Sequence, residues 1–231
     1  MATEHGSATG EVLSPQLAEL LKPQQTGIIV VDVMDAYFSQ DGKLAQMLGF
    51  TTKHLDETAK RIKAFLEAAR QHNPATVVFT RMIERPDTVP PNLARKMAIG
   101  DTPPLVEENG PGWNYYEVSP LPDDHEITKT HYNSFTGTDL DAHLRSKGVS
   151  SLIVVGGYGS RCVARTAESA ADDFGYNTFV LPDLIANPDA VDKPGTPKGA
   201  DEIAGFLQSF DIILGYTPQS QAILNAWAGK S

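Results

Sequence analysis

Cys162 has the most distinctive chemistry in this chain, because it is the only cysteine among 231 residues. It follows an apolar run at 152–155, typical of a strand buried on both faces, and then Gly156 and Gly157, which permit a tight turn. Ser160 is a suitable N-cap for the helix that we expect next. The thiol then lies in the first helical turn, where the helix dipole and unpaired N–H groups lower a thiol's pKa. The stretch predicts a nucleophile at a sheet edge, although a lone cysteine also suits a buried apolar position.

Three charged residues end or follow predicted strands earlier in the chain, namely Asp32, Arg81 and Lys129. Ligands of parallel α/β sheets bind beyond the carboxyl ends of the strands, and a buried strand rarely ends in an unpaired charge because desolvation is costly. We expect Asp32 to take the Cys162 proton and return it to a leaving amine, and Lys129 to stabilise the thiolate. Arg81 and Arg161 are candidates to bind a substrate carboxylate, although a surface position for Arg81 stays open. Taken singly, Asp32 also suits a turn cap and Lys129 a solvated strand end.

Hydrophobic periodicity predicts the elements that must position these residues. The predicted strands are 27–32, 75–81, 125–129, 152–155, 177–181 and 211–214. The predicted helices are 15–21, 53–72, 139–147, 160–175, 200–209 and 218–228. Strands that alternate with helices indicate a parallel sheet with helices on both faces, and therefore a single-domain, three-layer α/β/α fold. We expect this domain to span 26–231, preceded by an N-terminal arm at 1–25.

Three segments without a clear period are expected to supply the walls of a pocket, namely 36–50, 82–124 and 182–198. We expect the first to be a loop and the third to be irregular. Prolines throughout the second segment prevent long regular elements, so we expect an ordered excursion that is consistent with a lid. Its aromatic residue Trp113 either faces a substrate or pins the loop, and both interpretations stay open.

The composition bounds the class of protein and its partners. The formal net charge is −10, which argues against binding to nucleic acid or to an anionic membrane surface. A single cysteine rules out a disulfide framework within the chain and favours a reducing compartment. No apolar run reaches the length of a membrane span, and the N-terminal residues lack the apolar core of a signal peptide. We therefore expect a cytoplasmic protein.

Three segments together carry a family resemblance: IIVVDV, which contains Asp32, KTHYNSFTGTDL, which begins at Lys129, and GGYGSRCV, which contains Cys162. Over about residues 27–187 the chain resembles the isochorismatase-like cysteine hydrolases. That family includes nicotinamidases, N-carbamoylsarcosine amidase, ureidoacrylate and biuret hydrolases, and isochorismatase itself. The resemblance implies the isochorismatase-like hydrolase fold, with a Rossmann-like six-stranded parallel sheet, and assembly as a homodimer or homotetramer.

The resemblance also implies roles for individual residues. It makes Asp32, Lys129 and Cys162 a catalytic triad. It implies a cis peptide bond between Gly157 and Tyr158, and an oxyanion hole formed by the backbone N–H groups of Tyr158 and Cys162.

The residues that we expect around a substrate are Tyr37, Phe38, Arg81, Trp113, Tyr132 and Arg161. In the family, an aromatic residue often closes the pocket where Tyr37 stands, and Phe38 adjoins it. Nicotinamidases hold a metal with histidines in the segment after the second strand, whereas residues 82–124 contain no histidine. We therefore expect no metal and no cofactor.

These residues predict a metal-independent cysteine amidohydrolase that cleaves a C–N bond of a small amide, ureido or carbamoyl compound through a thioester acyl-enzyme. Isochorismatases that cleave a vinyl ether by acid catalysis lack the cysteine, but a vinyl-ether hydrolase with Asp32 as the acid remains an alternative. A binding protein of the same fold without turnover, or a redox sensor in which Cys162 oxidises reversibly, also stays open.

Overall fold

A parallel sheet of five strands lies at the centre of the computed structural model, which describes residues 12–85, 87–101, 103–188 and 199–230. The strands are β1 (Thr26–Val31), β2 (Thr76–Met82), β3 (His125–Lys129), β4 (Ser151–Gly157) and β5 (Asn177–Ala186). Their order in the sheet is β3-β2-β1-β4-β5, and every neighbouring pair is parallel. Every residue of β1 and β4 is buried, which explains the continuous apolar runs in their sequences.

Helices cover both faces of this sheet. They are α1 (Pro15–Leu20), α2 (Asp35–Phe38), α3 (Lys43–Leu48), α4 (Lys53–Ala69), α5 (Pro91–Ile99), α6 (Leu140–Ser146), α7 (Ala164–Asp172), α8 (Gly199–Ile213) and α9 (Ser220–Trp227). The crossovers through α4 and α7 run in opposite directions across the sheet, so right-handed connections put these two helices on opposite faces. The expected single sheet of parallel strands with flanking helices is confirmed. In the described part of the chain, no helix is both long enough and apolar enough to cross a lipid bilayer.

The chain changes direction within the sheet at the boundary between β1 and β4. From β1 it proceeds through α4 to β2 on one side, and from β4 it proceeds through α7 to β5 on the other. In open α/β sheets, the crevice at the carboxyl ends of two such strands is where ligands bind. Asp32 follows β1 and Cys162 follows β4, so the fold places both residues at this crevice.

The prediction of a sixth strand at 211–214 is wrong. Residues up to Ile213 continue α8, in which Phe210 is buried against the rest of the domain. A four-residue apolar run fits the end of a helix as well as a short strand, so its pattern could not separate the two. On the side of β5 that does not pair with β4, the described residues form only a single parallel bridge, between Phe179 and Tyr216.

The segments expected to be irregular contain more regular structure than their sequences indicate. Residues 36–50 carry most of α2 and all of α3, and 82–124 carries α5, which starts at Pro91 because proline suits the first helical position. Strand β5 continues through Pro182 to Ala186, in the part of 182–198 that is described. Residues 189–198 of that segment, and residues 1–11 of the expected N-terminal arm, lie outside the described residues.

Candidate active site

A buried ion pair between Asp32 and Lys129 lies at the carboxyl end of the sheet. Lys129 Nζ is 2.7 Å from Asp32 Oδ2, and neither side chain is more than 1% exposed. Lys129 ends the edge strand β3, and its side chain crosses the end of β2, where Nζ lies 3.8 Å from Met82 Sδ. The ammonium also donates hydrogen bonds to the carbonyl oxygens of His131 and Tyr132, at 3.1 and 3.4 Å. Burial alone would lower the pKa of Lys129, but the Asp32 carboxylate and the nearby thiol raise it, so the ammonium keeps its charge.

The two oxygens of the Asp32 carboxylate have different surroundings. Oδ1 accepts a hydrogen bond from Thr80 Oγ1 at 2.6 Å, and the same hydroxyl oxygen accepts the Asp32 N–H at 3.1 Å. Oδ2 faces the Lys129 ammonium, and among the described groups none gives it a well-directed hydrogen bond. Asp32 itself has a φ of +50°, in the left-handed region that is uncommon for residues other than glycine. This geometry leaves Oδ2 with an open acceptor position beside the Lys129 ammonium.

The Cys162 thiol lies beside this pair and is 7% exposed. Burial raises the pKa of the thiol, the Lys129 ammonium works against that increase, and the Asp32 carboxylate adds to it. Asp32 and Lys129 are therefore the charged groups that act on the thiol in opposite directions. The expected lowering of this pKa by the helix start is therefore wrong, because the desolvation of a buried thiolate outweighs it. The resting thiol keeps its proton and needs a base.

The turn before Cys162 packs tightly against β1 and against the core. Gly156 has a φ of +120°, and a Cβ at this position would lie 2.2 Å from the carbonyl oxygen of Val31. A Cβ on Gly157 would lie 2.8 Å from Cζ of Phe38, which is fully buried beneath the turn. The peptide bond between Gly157 and Tyr158 is cis. Phe38, expected beside the substrate, thus supports the turn from the core side.

The helix after this turn begins with a π-helical turn, Gly159–Val163, before α7. Ser160 does not cap it: its backbone N–H donates to Asn187 Oδ1 at 3.0 Å and its hydroxyl donates to Glu202 Oε2 at 2.7 Å. Asn187 Nδ2 in turn donates to Ser160 Oγ at 2.8 Å. The N-cap prediction for Ser160 is wrong, because Asn187 at the end of β5 supplies the acceptor. These bonds fix the start of the helix that carries Cys162.

A pocket of about 500 Å³ opens above Cys162. Its polar lining consists of Asp32, Tyr37, Glu84, Lys96, Tyr132, Tyr158, Arg161 and Cys162. Its apolar lining consists of Leu44, Met82, Leu93, Met97 and Leu105. A pocket of this volume with a few converging polar groups is typical of a small-molecule site. Within the described ranges, no group of three or more His, Cys, Asp or Glu side chains is placed to hold a metal ion.

Glu84 is a polar pocket residue that the sequence interpretation missed. Its side chain is buried, and Oε2 accepts a hydrogen bond from the Tyr37 hydroxyl at 3.0 Å. Burial raises the pKa of Glu84, and the hydrogen bond from Tyr37 works in the opposite direction. Glu84 is two residues beyond the end of β2. The strand-end rule applied to Asp32 would have found it.

The six residues expected around a substrate fall into two groups. Tyr37, Tyr132 and Arg161 line the pocket, whereas Phe38, Arg81 and Trp113 lie outside its lining. Arg81 pairs instead with Glu126, with Nη1 2.9 Å from Oε2, and its guanidinium lies 4.9 Å from the ring centre of Trp113. The side chains of a strand alternate between its faces, so Met82 reaches the pocket and Arg81 points to the other face. Trp113 is 8% exposed and packs on Arg81, as expected of a residue that pins the loop.

Gly156→Ala is expected to lower the free energy of unfolding by about 3 kcal/mol. A positive φ costs a residue with a Cβ about 1–2 kcal/mol, and the crowding against Val31 costs a similar amount. Gly175→Ala is the matched control, because its φ is +73° and nothing lies within 4 Å of the added Cβ. Urea unfolding of both variants measures the difference. Equal losses would show that the approach to Val31 is not tight.

The chain is similar to several known proteins in sequence and in structure. The model of the isochorismatase domain matches residues 26–195. The ureidoacrylate amidohydrolase RutB of Cronobacter sakazakii is 31% identical over 217 residues, which cover 88% of this chain and 89% of the relative. The RutB of Agrobacterium fabrum is 29% identical and covers 88% and 94%. A cysteine hydrolase from Pseudomonas syringae pv. phaseolicola 1448A has a similar structure, with a TM-score of 0.75 at 23% identity over 90% of this chain and 95% of that one.

Proposed function

Because the chain belongs to the isochorismatase family of hydrolases, we propose that it is a cysteine amidohydrolase that cleaves the C–N bond of a small amide, ureido or carbamoyl compound. The observation that carries the proposal is the buried pair of Asp32 and Lys129 beside Cys162 at the base of a pocket. Relatives named as ureidoacrylate amidohydrolases, one of them 31% identical, support a reaction at a C–N bond.

In the first half of the reaction, Asp32 Oδ2 takes the proton of the Cys162 thiol while the sulfur attacks the substrate carbonyl carbon. Proton removal is required because the buried thiol is neutral at rest. Lys129 holds the carboxylate in place and stabilises negative charge on the sulfur as the proton leaves. The carbonyl oxygen becomes an oxyanion, and the backbone N–H groups of Tyr158 and Cys162 are the donors that we assign to it.

In the second half, Asp32 returns this proton to the leaving nitrogen, the C–N bond breaks, and ammonia or an amine departs. The acyl group stays on Cys162 as a thioester. A water molecule then attacks the thioester carbon, with Asp32 accepting its proton and passing it to the departing sulfur. The net reaction consumes one water, releases one acid and one amine, and restores the thiol.

Glu84 and Tyr37 offer a second set of polar contacts in the same pocket. The Glu84 carboxyl lies on the pocket wall with its Oε2 bonded to the Tyr37 hydroxyl. Its remaining acceptor positions suit the N–H groups of an amide or ureido substrate, which an ester lacks. This arrangement favours substrates with N–H donors next to the scissile carbonyl.

Ammonia release from a panel of primary amides, ureido acids and carbamoyl amino acids tests the proposal. Cys162→Ala is expected to reduce turnover of any active compound by roughly 10⁴-fold or more, because no other thiol is available. Intact-mass measurement of the wild-type protein during turnover of a slow substrate should show the acyl group added to the chain. The melting temperature of Cys162→Ala controls for folding.

Ammonia release that persists in Cys162→Ala would contradict the mechanism. Hydrolysis of a vinyl ether by both proteins, without ammonia release from the panel, would favour acid catalysis by Asp32 instead.

A further inference from the structure

The first turn of α8 packs on the π-helical turn that carries Cys162. Glu202 Oε2 accepts a hydrogen bond from the Ser160 hydroxyl at 2.7 Å. Beside this bond, Gly159 lies so close to α8 that an added Cβ would be 2.9 Å from Cγ1 of Ile203. Two neighbouring residues of the turn are thus held by two neighbouring residues of α8.

Glu202 sets the direction of a ring of hydrogen bonds among three side chains. A carboxylate only accepts hydrogen bonds, so the Ser160 hydroxyl and Asn187 Nδ2 both donate to Glu202 Oε2, at 2.7 and 3.1 Å. The Ser160 oxygen then accepts from Asn187 Nδ2 at 2.8 Å, and Asn187 Oδ1 accepts the backbone N–H of Ser160 at 3.0 Å. Asn187 is 6% exposed, so a bond lost from this ring is costly. The carboxylate therefore determines which way the Asn187 amide points.

The backbone that this ring holds lies between the two donors that we assign to the oxyanion. Ser160 comes after Tyr158 and before Cys162. The adjoining Gly159 has no Cβ to restrict its backbone, although the carbonyl oxygen of Tyr158 accepts the N–H of Arg161 at 3.0 Å. An oxyanion hole works only when its N–H groups point at one oxygen atom, so the turn between them must keep one shape.

We propose that Glu202 is a positioning residue that shapes the oxyanion hole from α8, through Ser160 and Asn187. This inference rests on the proposed function, which assigns the hole its role. Glu202 acts here as a hydrogen-bond acceptor through Oε2, while Oε1 lies 3.7 Å from Arg161 Nη2. A glutamine in its place keeps one acceptor oxygen and should keep most of the order of the ring.

Two reactions of the same thiol separate positioning from a general loss of structure. Acylation of Cys162 by p-nitrophenyl acetate passes through an oxyanion, whereas alkylation by iodoacetamide does not. Glu202→Ala is expected to slow acylation about 10- to 100-fold, since losing one oxyanion donor outright costs about 10²–10³-fold. Alkylation should change by less than about twofold. Glu202→Gln should acylate within about fivefold of the wild-type rate, measured as p-nitrophenolate release that is absent from Cys162→Ala.

Ser160→Ala removes the same hydrogen bond from the other partner and should slow acylation as much as Glu202→Ala does. The double variant should be no slower than either single variant, because both break one ring. Glu67→Ala is the matched control, since Glu67 is an exposed glutamate on α4, and it should leave both rates unchanged. The melting temperature of each variant controls for folding.

An equal decrease of acylation and alkylation in Glu202→Ala, unchanged acylation, or a Glu202→Gln protein as slow as Glu202→Ala would overturn the inference. So would a wild-type thiol that the ester does not acylate. Amide hydrolysis that needs Cys162 but proceeds with the wild-type kcat in Glu202→Ala would overturn this inference alone. Acylation that depends on Glu202, with no hydrolysis of any amide, ureido or carbamoyl compound, would support this inference and contradict the proposed function.

Discussion

Asp32→Asn is expected to lower kcat/KM by roughly 10³-fold while making Cys162 easier to alkylate at neutral pH. Turnover falls because asparagine can neither accept the thiol proton nor return it to the leaving nitrogen. Alkylation accelerates because the Asp32 carboxylate raises the pKa of the thiol and the Lys129 ammonium lowers it. With the carboxylate removed, the ammonium remains beside the sulfur and favours the thiolate.

The rate of alkylation by iodoacetamide as a function of pH measures this effect on one residue, because the chain has no other cysteine. The midpoint of the profile should move to lower pH in Asp32→Asn and to higher pH in Lys129→Met. Opposite shifts of these two variants exclude a general loosening of the structure, which would change both in the same direction. An unchanged profile in Asp32→Asn would show that the carboxylate does not interact with the thiol.

The sequence was sufficient to bring Asp32, Lys129 and Cys162 to one place. Asp32 and Cys162 follow the buried apolar strands β1 and β4, whereas Lys129 ends the partly exposed strand β3, and parallel strands all end at one edge of the sheet. The family resemblance of the segments around these residues is confirmed by the match to the isochorismatase domain. The apolar patterns of β1 and β4 therefore predict the positions of Asp32 and Cys162, and the end of the short strand β3 predicts that of Lys129.

Side-chain direction at a strand end was harder to predict. Arg81 and Met82 are neighbours on β2, but only Met82 lines the pocket. A shift of one residue exchanges the two faces of a strand, and an apolar run without alternation does not reveal which residue faces inward. Arg81 stacks on an aromatic ring instead, with its guanidinium 4.0 Å from the ring centre of Tyr115.

Some residues that line the pocket come from elements that the sequence pattern did not predict. Lys96 and Met97 reach the pocket because residues 91–99 form α5 within a proline-rich segment. Prolines at both sides of that stretch suggested the absence of a helix, although Pro90 and Pro91 begin it. The strand end indicates Glu84, but no local pattern predicts the backbone bridge with Val106 that holds this segment in place.

The thiol pKa shows the limit of local reasoning about chemistry. A cysteine near a helix start is expected to have a lowered pKa, but Cys162 is almost fully buried and Asp32 lies beside it. Burial follows from the packing of β1, β4 and the residues above them. It could not be derived from the position of the cysteine along the chain.

Lys129→Met is expected to lower the free energy of unfolding by about 3–5 kcal/mol and to abolish turnover. Removing the ammonium leaves the Asp32 carboxylate buried without its charge partner, and uncompensated buried charges are costly. Urea unfolding measures the loss, and Lys63→Met is the control because Lys63 is an exposed lysine on α4. The control should change stability by less than about 1 kcal/mol.

The double variant Asp32→Asn/Lys129→Met separates stability from chemistry. Neutral groups of similar size in place of both charges should restore stability to within about 1–2 kcal/mol of the wild type, because replacing a buried pair costs far less than breaking it. Turnover should stay at the level of the single variants, since neither the proton acceptor nor the ammonium returns. A double variant as unstable as Lys129→Met would contradict this account of the pair. If the prediction holds, the chain keeps this ion pair because the thiol needs both groups, and the fold does not depend on their charges.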